Sequence, residues 1–359
     1  MTKPKQYLKD IYRTPLDHVN RIEYMRLDKN ENLIPISQDF LASITKQITP
    51  DFLATYPQVS LLYDKLAASL GLTEDYLFLS TGSEGAIKTI FEAYVEPHDR
   101  VIIPDPTYAM YEVFGKLFKA DLVKIPYDTS LNLNLNAMVK RFNKKTKLVV
   151  LANPNSPTGT IVPPKDLESF IAAAEKKSVL VLIDEAYYPY YPKSSIPLVK
   201  KYRNLIVTRS FSKAFGLASL RIGFAVAQPE TLQWLKVFRP MYETNGFSVL
   251  FANAMLDNMH IVENNVKEVT EGRNYLVHEM ERRGFKTFES QTNFVNINVG
   301  KHLVDPLIRN LEQNGILIKP GADHPALHQC VRITVGSVDQ MKLLISYIED
   351  YLAGVHSNR

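Results

Sequence analysis

The chain has 359 residues, 45% apolar and 22% charged, with 42 basic against 38 acidic side chains for a net charge of +4. That length exceeds the usual limit for one hydrophobic core and predicts a large domain with a smaller companion, with the composition of an ordinary globular protein. The densest basic run, Lys144-Lys145-Thr146-Lys147, reads as a solvated turn rather than a nucleic-acid patch, and the single Cys330 excludes an intrachain disulfide and a cysteine-rich metal site. No apolar run approaches the roughly 18 residues of a membrane helix, and MTKPKQYLKD lacks a signal-peptide core, so a cytoplasmic protein is expected.

Residues 1–39 show little periodicity; the polar run Asp28-Lys29-Asn30-Glu31-Asn32 reads as an extended arm or loop. Ser60 is expected to cap a helix carrying Leu61, Leu62, Leu66 and Leu70, which stops at Gly71. Short apolar strands follow at Tyr76–Leu79, Val101–Ile103, Leu122–Ile125, Leu148–Leu151, Val179–Ile183 and Leu205–Val207. Helix-length segments such as Glu84–Val95, Tyr108–Phe118 and Pro164–Lys176 alternate with them, which predicts a mostly parallel sheet with helices on both faces. Ligands of such sheets bind beyond the carboxyl ends of the strands. Past Pro240 the pattern becomes α+β. One long helix or two joined ones span Phe247–Arg283 up to Gly284, and Asn293–Asn298, His302–Asn314, Ile316–Ile318, Val331–Val335 and Ser337–Leu352 follow. Cys330 reads as a buried strand thiol.

Five stretches after these strands carry chemistry. Thr81-Gly82-Ser83-Glu84-Gly85 joins a strand to a helix; the amides of Ser83 and Glu84 could face a phosphate, or the stretch could be a plain cap. Tyr108, in Pro106-Thr107-Tyr108, could stack on an aromatic ring. Asn153-Pro154-Asn155-Ser156-Pro157-Thr158-Gly159 could offer side-chain donors or be only a turn. Asp184 ends a central strand, where a carboxylate is costly unless it meets a cation such as a pyridinium or caps a local turn. Finally, Ser210-Phe211-Ser212-Lys213-Ala214-Phe215-Gly216, closed by Arg221 and Gly223, holds a lysine 213 − 184 = 29 residues past Asp184. Lysine forms a Schiff base with an aldehyde when desolvation or nearby cations lower its pKa.

In this order the five stretches resemble the fold-type I pyridoxal phosphate enzymes, most closely the histidinol-phosphate aminotransferase-like branch. The likeness runs from Asn30-Glu31-Asn32 through Tyr56-Pro57 to Val331-Arg332-Ile333-Thr334-Val335-Gly336. It implies an α/β fold with an N-terminal arm (1–39) completing the small domain. A large cofactor domain (40–245) would follow, then a connecting helix with a small α+β domain (246–359). It assigns Lys213 to the cofactor's Schiff base and to proton shuttling, Asp184 to the pyridinium, Tyr108 to ring stacking and Tyr187 to the ring hydroxyl. Ser83, Glu84, Ser210, Ser212 and Arg221 would hold the cofactor phosphate, joined by Tyr56 from a neighbouring subunit, so a homodimer is implied. Arg332 would grip a substrate carboxylate, with Asn32 and Asn293 near the substrate.

Three departures from the branch stand out. Ser156 replaces the usual asparagine before Pro-Thr-Gly, and Asn155 could share its contact. Lys319 stands where arginine is common; it either meets an anionic group of the substrate or points to solvent. The segment Arg239-Pro240-Met241-Tyr242-Glu243-Thr244-Asn245, with Tyr242 on the substrate side, carries an unusual acidic residue. The expected function is a biosynthetic aminotransferase moving an amino group from an amino acid, with glutamate as the expected donor, to a small keto compound, phosphorylated or not. A decarboxylase of a phosphorylated amino acid is the alternative. Histidinol phosphate ranks below both because of Lys319 and the 239–245 segment. A cofactor-binding regulator fits poorly with intact Lys213 and Asp184.

Overall fold

The computed structural model describes residues 2–12 and 20–357; Met1, residues 13–19 of the N-terminal arm and the last two lie outside the described residues. Among the described residues, thirteen strands form three sheets. In chain order the first eight are β1 (Met25–Arg26), β2 (Leu77–Ser80), β3 (Arg100–Asp105), β4 (Asp121–Pro126), β5 (Thr146–Ala152), β6 (Leu180–Asp184), β7 (Leu205–Ser210) and β8 (Gly223–Val226). They are followed by β9 (Lys286–Thr287), β10 (Phe294–Asn298), β11 (Ile316–Leu317), β12 (Lys319–Pro320) and β13 (Cys330–Thr334).

The large sheet has seven strands in the order β2-β8-β7-β6-β5-β3-β4. All run parallel except β8, which is antiparallel to both its neighbours. Successive residues of a strand point to opposite faces. Val149, Leu151, Val181 and Ile183 accordingly enter one apolar cluster with Leu167, Phe170 and Ile171 of the helix Pro164–Glu175. Leu148, Val150, Leu182 and Ile206 enter the other, against Ala86, Ile87, Ile90 and Phe91 of the helix Gly82–Tyr94. Continuous apolar strands therefore sit at the centre of the sheet because both of their faces are buried.

The departures from expectation are local. Tyr76 belongs to a 3-10 turn, Glu74–Tyr76, that precedes β2. Ser60 is the first residue of its helix and not its cap; Val59 holds that place, and Gly71 closes the helix at φ 64°. After Pro240 the second of the two expected arrangements is found: two helices, Gly246–Asp257 and Met259–Arg282, joined at Asn258. β8 was hidden inside what reads as the end of the lysine loop.

The second sheet has the order β12-β13-β10-β9, antiparallel throughout, and packs with Met259–Arg282 and Lys301–Gln313, which in turn pack against Val338–Ser357. The N-terminal segment joins this half of the molecule, since β1 pairs in parallel with β11. Cys330 is buried in β13, where desolvation pushes its thiol up to about 12 and out of the reactive range. No helix among the described residues is long and apolar enough to cross a membrane.

Candidate active site

A cavity of about 300 Å³ opens where β5, β6 and β7 end, lined by Ala152, Asp184 and Ser210 from those strand ends. The arm adds Lys29 and Asn30, and the second sheet adds Lys319 and Arg332.

One side of the cavity is built for an anion. The helix Gly82–Tyr94 begins at Gly82, whose φ of 69° suits glycine, and Ser83 and Glu84 of its first turn line the cavity. Gly223 of β8 backs this turn, and a Cβ there would lie 2.5 Å from the Ser83 amide nitrogen. The Arg221 guanidinium lies over the turn: a Cβ on Gly82 would meet its Nη2 at 3.0 Å. Arg221 Nη1 donates to Ser212 Oγ at 3.3 Å and to the Ala218 carbonyl at 3.2 Å, and Ser210 Oγ accepts from the Ser212 amide at 3.0 Å. A guanidinium beside a helix N-terminus opposes the helix dipole, so the arrangement favours an anion between them.

Asp184 lies deeper, with 4% of its surface exposed. Tyr111 Oη donates to its Oδ2 at 2.8 Å, and Thr208 Oγ1 donates to its Oδ1 at 3.0 Å. Burial nevertheless pushes its carboxyl up to about 6, with the hydrogen bonds from Tyr111, Thr208 and the Ala186 amide opposing and Glu185 adding to the rise. No cation among the described residues is paired with Asp184. The adjacent Glu185 is spent elsewhere: it accepts from Arg209 Nε and Nη2, both at 3.1 Å, and from Ser194 and the Ser195 amide. Tyr108 stands edge-on to Tyr111, 5.5 Å between ring centres, and donates to Glu84 at 3.0 Å. Tyr111 and Thr208 escaped the sequence reading. Tyr111 follows Tyr108 by one helical turn, and Thr208 is the neighbour of Asp184 across β6 and β7, which only the strand register reveals.

Three side chains meet the arm at the other side. Lys213 Nζ donates to the Lys29 carbonyl at 3.2 Å and lies 5.8 Å from the centre of the Tyr187 ring. The Tyr187 hydroxyl accepts from Asn30 Nδ2 at 2.8 Å. Arg332 Nη2 donates to the Asp28 carbonyl at 2.9 Å, while its buried Nε has no partner. Burial lowers the Arg332 pKa and leaves a guanidinium that gains from a carboxylate. Lys319 sits directly across β12 and β13 from Arg332 and lines the same cavity, rather than facing away into solvent.

Five residues of the expected site, and Glu243 of the segment flanking it, are not among those lining the cavity. Asn155 is buried and accepts from Thr107 at 2.8 Å while donating to the Pro106 carbonyl and to Thr158, so its amide braces the loop; Ser156 is the residue that reaches the cavity. Asn32 donates to the Ala214 carbonyl at 3.2 Å and thereby holds the lysine loop. Asn293 donates to the carbonyls of Asn30 and Glu31, at 3.1 and 3.2 Å. Tyr56 is 70% exposed and stacks on Tyr242 with ring centres 4.1 Å apart, so these two form a surface pair. Glu243, the acidic residue of the 239–245 segment, is buried and accepts from the Tyr63 hydroxyl at 2.9 Å.

An anion cup, a buried carboxylate lacking a cation, a lysine and an unpartnered guanidinium nitrogen around one cavity fit pyridoxal phosphate and a carboxylate-bearing substrate. Comparison with known proteins agrees. Residues 22–348 match the family model "Aminotransferase class I and II". The histidinol-phosphate aminotransferase of Brevibacillus brevis is 32% identical over 354 residues, covering 95% of this chain and 94% of its own. Among solved structures, histidinol-phosphate aminotransferase from Sinorhizobium meliloti, in complex with pyridoxal-5'-phosphate, superposes with a TM-score of 0.89 at 23% identity, covering 99% of each chain. L-threonine-O-3-phosphate decarboxylase from Porphyromonas gingivalis shares the fold at a TM-score of 0.77 and 18% identity, over 92% of this chain and 99% of that one. With the fold, the cavity and the relatives in agreement, the chain belongs to the class I and II aminotransferases and is a pyridoxal phosphate-dependent enzyme of that family.

Proposed function

We propose that this aminotransferase takes its amino group from glutamate and delivers it to a small keto compound bearing an anionic group, phosphate being the leading candidate. The observation that carries the reading is that Arg332 and Lys319, cross-strand neighbours, line the same cavity as Lys213 and Asp184. Bound pyridoxal phosphate supplies an electrophilic aldehyde and an electron sink. The chain supplies the rest. The first turn of Gly82–Tyr94, with Ser210, Ser212 and Arg221, holds the phosphate, and Tyr108 covers the ring. Asp184 keeps the ring nitrogen protonated, and the Tyr187 hydroxyl donates to the ring oxygen, with Ser156 nearby in place of the usual asparagine. Nζ of Lys213 holds the cofactor at rest and then carries the proton taken from the substrate Cα. Arg332 orients the donor through its carboxylate, and Lys319 meets the anionic group of the acceptor.

Half-transamination tests the reaction. Glutamate should convert the bound cofactor to its pyridoxamine form, seen as loss of the visible band, with no release of carbon dioxide. Gas release from a phosphorylated amino acid would instead support the decarboxylase, whose present support is likeness of fold alone. Lys319→Ala should then raise KM for phosphorylated acceptors far more than for neutral ones, and leave KM for glutamate little changed; equal effects would remove Lys319 from acceptor recognition.

Histidinol phosphate is the second reading, favoured by the name of the Brevibacillus relative. Burial of Glu243 against Tyr63 removes one of the two departures that spoke against it, leaving Lys319. Efficient turnover of histidinol phosphate with 2-oxoglutarate would establish this reading. We also infer a homodimer. The exposed Tyr56–Tyr242 pair, near the exposed side chains of Leu53 and Met241, supports an interface through which Tyr56 reaches the cofactor phosphate of the neighbouring subunit. The division into an arm (1–39), a cofactor domain (40–245) and a small domain (246–359) is proposed on the sheet memberships described above.

A further inference from the structure

The arm residue Asn30 is held more completely than a loop residue needs to be. Only 3% of its surface is exposed, and its φ of 56° lies in the left-handed region, which asparagine tolerates better than most residues. Its amide nitrogen donates to Thr334 Oγ1 at 2.9 Å, and its carbonyl accepts from Asn293 Nδ2 at 3.1 Å. Because the Thr334 oxygen accepts from the backbone, its one hydrogen is available for Asn30 Oδ1, 3.3 Å away. That identifies the oxygen end of the Asn30 amide and turns the NH2 end toward the Tyr187 hydroxyl at 2.8 Å.

An NH2 group can only donate, so the Tyr187 oxygen accepts and its own hydrogen must point elsewhere. Tyr187 lines the cofactor cavity, so the cavity is where that hydrogen is delivered. Accepting one hydrogen bond also polarises the phenol and strengthens the bond it donates. We propose that Asn30 is a positioning residue that fixes Tyr187 as a donor toward the ring oxygen of the bound cofactor. The proposal rests on the reading of Tyr187 given above. It makes the arm, anchored on Thr334 of β13, part of the cofactor site without touching the reacting atoms.

A double-mutant cycle on the full-length protein tests it, with pyridoxal phosphate titrated into wild type, Asn30→Ala, Tyr187→Phe and the double variant, each checked by its thermal melt. Asn30→Ala should weaken cofactor binding about five- to tenfold when Tyr187 is present, the scale of one hydrogen bond. In the Tyr187→Phe background the same change should alter binding less than twofold. The pH midpoint of the bound cofactor's visible absorbance should also move upward in Asn30→Ala, because donation to the ring oxygen favours its ionised form. Asn30→Asp has the same size but can only accept, so it reverses the bond and should weaken binding at least as much as Asn30→Ala. Equal loss in both backgrounds, or rescue by Asn30→Asp, would show that Asn30 only holds the arm in place. A weakened Tyr187→Phe beside an unaffected Asn30→Ala would overturn the proposal alone, whereas undiminished binding by Tyr187→Phe would overturn the reading of Tyr187 with it.

Discussion

Asp184 should make the protein without cofactor less stable than it would be with a neutral side chain, and the cost should depend on pH. The carboxyl is buried, and three donors on it offset its desolvation only in part, leaving it at about 6 against an ordinary 3.8. The folded state therefore holds this proton more tightly than the unfolded chain. Its contribution favours folding below about pH 4 and is lost as pH rises through 6. A gap of about two units corresponds to about 3 kcal/mol at ~1.36 kcal/mol per unit. Roughly half of that is felt at pH 5 and nearly all of it by pH 7.

The perturbation is Asp184→Asn, which keeps the shape and removes the charge. In urea melts without cofactor, the variant should gain on wild type by roughly 1–2 kcal/mol more at pH 8 than at pH 5. Adding pyridoxal phosphate should narrow the gap, because the ring nitrogen gives the wild-type carboxylate the cation it lacks. The same variant should lose orders of magnitude in transamination rate, since stabilisation of developing negative charge depends on that nitrogen remaining protonated. Tyr111→Phe should deepen the wild-type pH dependence, because losing this charge-assisted hydrogen bond raises the carboxyl further. A stability difference between Asp184→Asn and wild type that stays flat from pH 5 to pH 8 would refute the reasoning, as would near-normal turnover by the variant.

Lys213→Ala should bind cofactor without the visible band of lysine-linked pyridoxal phosphate; a wild-type-like band reducible by borohydride would move the linkage to another lysine. Gly223→Ala puts a methyl 2.5 Å from the backbone of the turn at Gly82 and Ser83, proposed above to hold the cofactor phosphate. It should cost about 1–3 kcal/mol in stability and weaken cofactor binding at least tenfold, measured by thermal melt and titration. Undisturbed binding would mean that β8 does not press on that turn. If Tyr56 acts across a dimer, mixing inactive Tyr56→Ala subunits with inactive Lys213→Ala subunits, after subunit exchange is verified, should restore one active site per mixed dimer; no recovery would favour a site built within one subunit.

The residues legible from sequence were those whose role follows from where a strand stops. Asp184, Ser210 and Lys213 each stand at or just past the end of a buried apolar strand, so the rule that ligands bind beyond strand ends sufficed. Tyr111 and Thr208 were illegible because their role depends on neighbours distant in sequence: Thr208 meets Asp184 only through the pairing of β6 with β7. The asparagines were ambiguous for a different reason. An amide that can reach a ligand can equally brace a loop, and Asn32, Asn155 and Asn293 all bond to main-chain carbonyls.

The same ambiguity governs the substrate, and one contact changes its balance. As sequence, Glu243 is an unusual acidic residue in a segment on the substrate side. In the fold it accepts from Tyr63, whose hydroxyl also accepts from the Leu79 amide of β2, the strand that leads into the helix Gly82–Tyr94. A buried carboxylate so engaged serves the architecture of the cofactor site, and its removal would be felt as instability and weaker cofactor binding before any change of specificity. Specificity must then be sought among side chains that line the cavity, where two departures remain: Ser156, proposed above to lie near the cofactor's ring oxygen, and Lys319, across from Arg332. A single lysine in place of arginine keeps the charge and gives up the planar fork, which changes how a phosphate is gripped more than whether it is bound. The choice between histidinol phosphate and another phosphorylated acceptor therefore turns on Lys319→Arg. If this variant raises kcat/KM for histidinol phosphate by tenfold or more while lowering it for the preferred acceptor, the lysine is what separates this chain from that activity. If the two move together, the lysine reads charge alone.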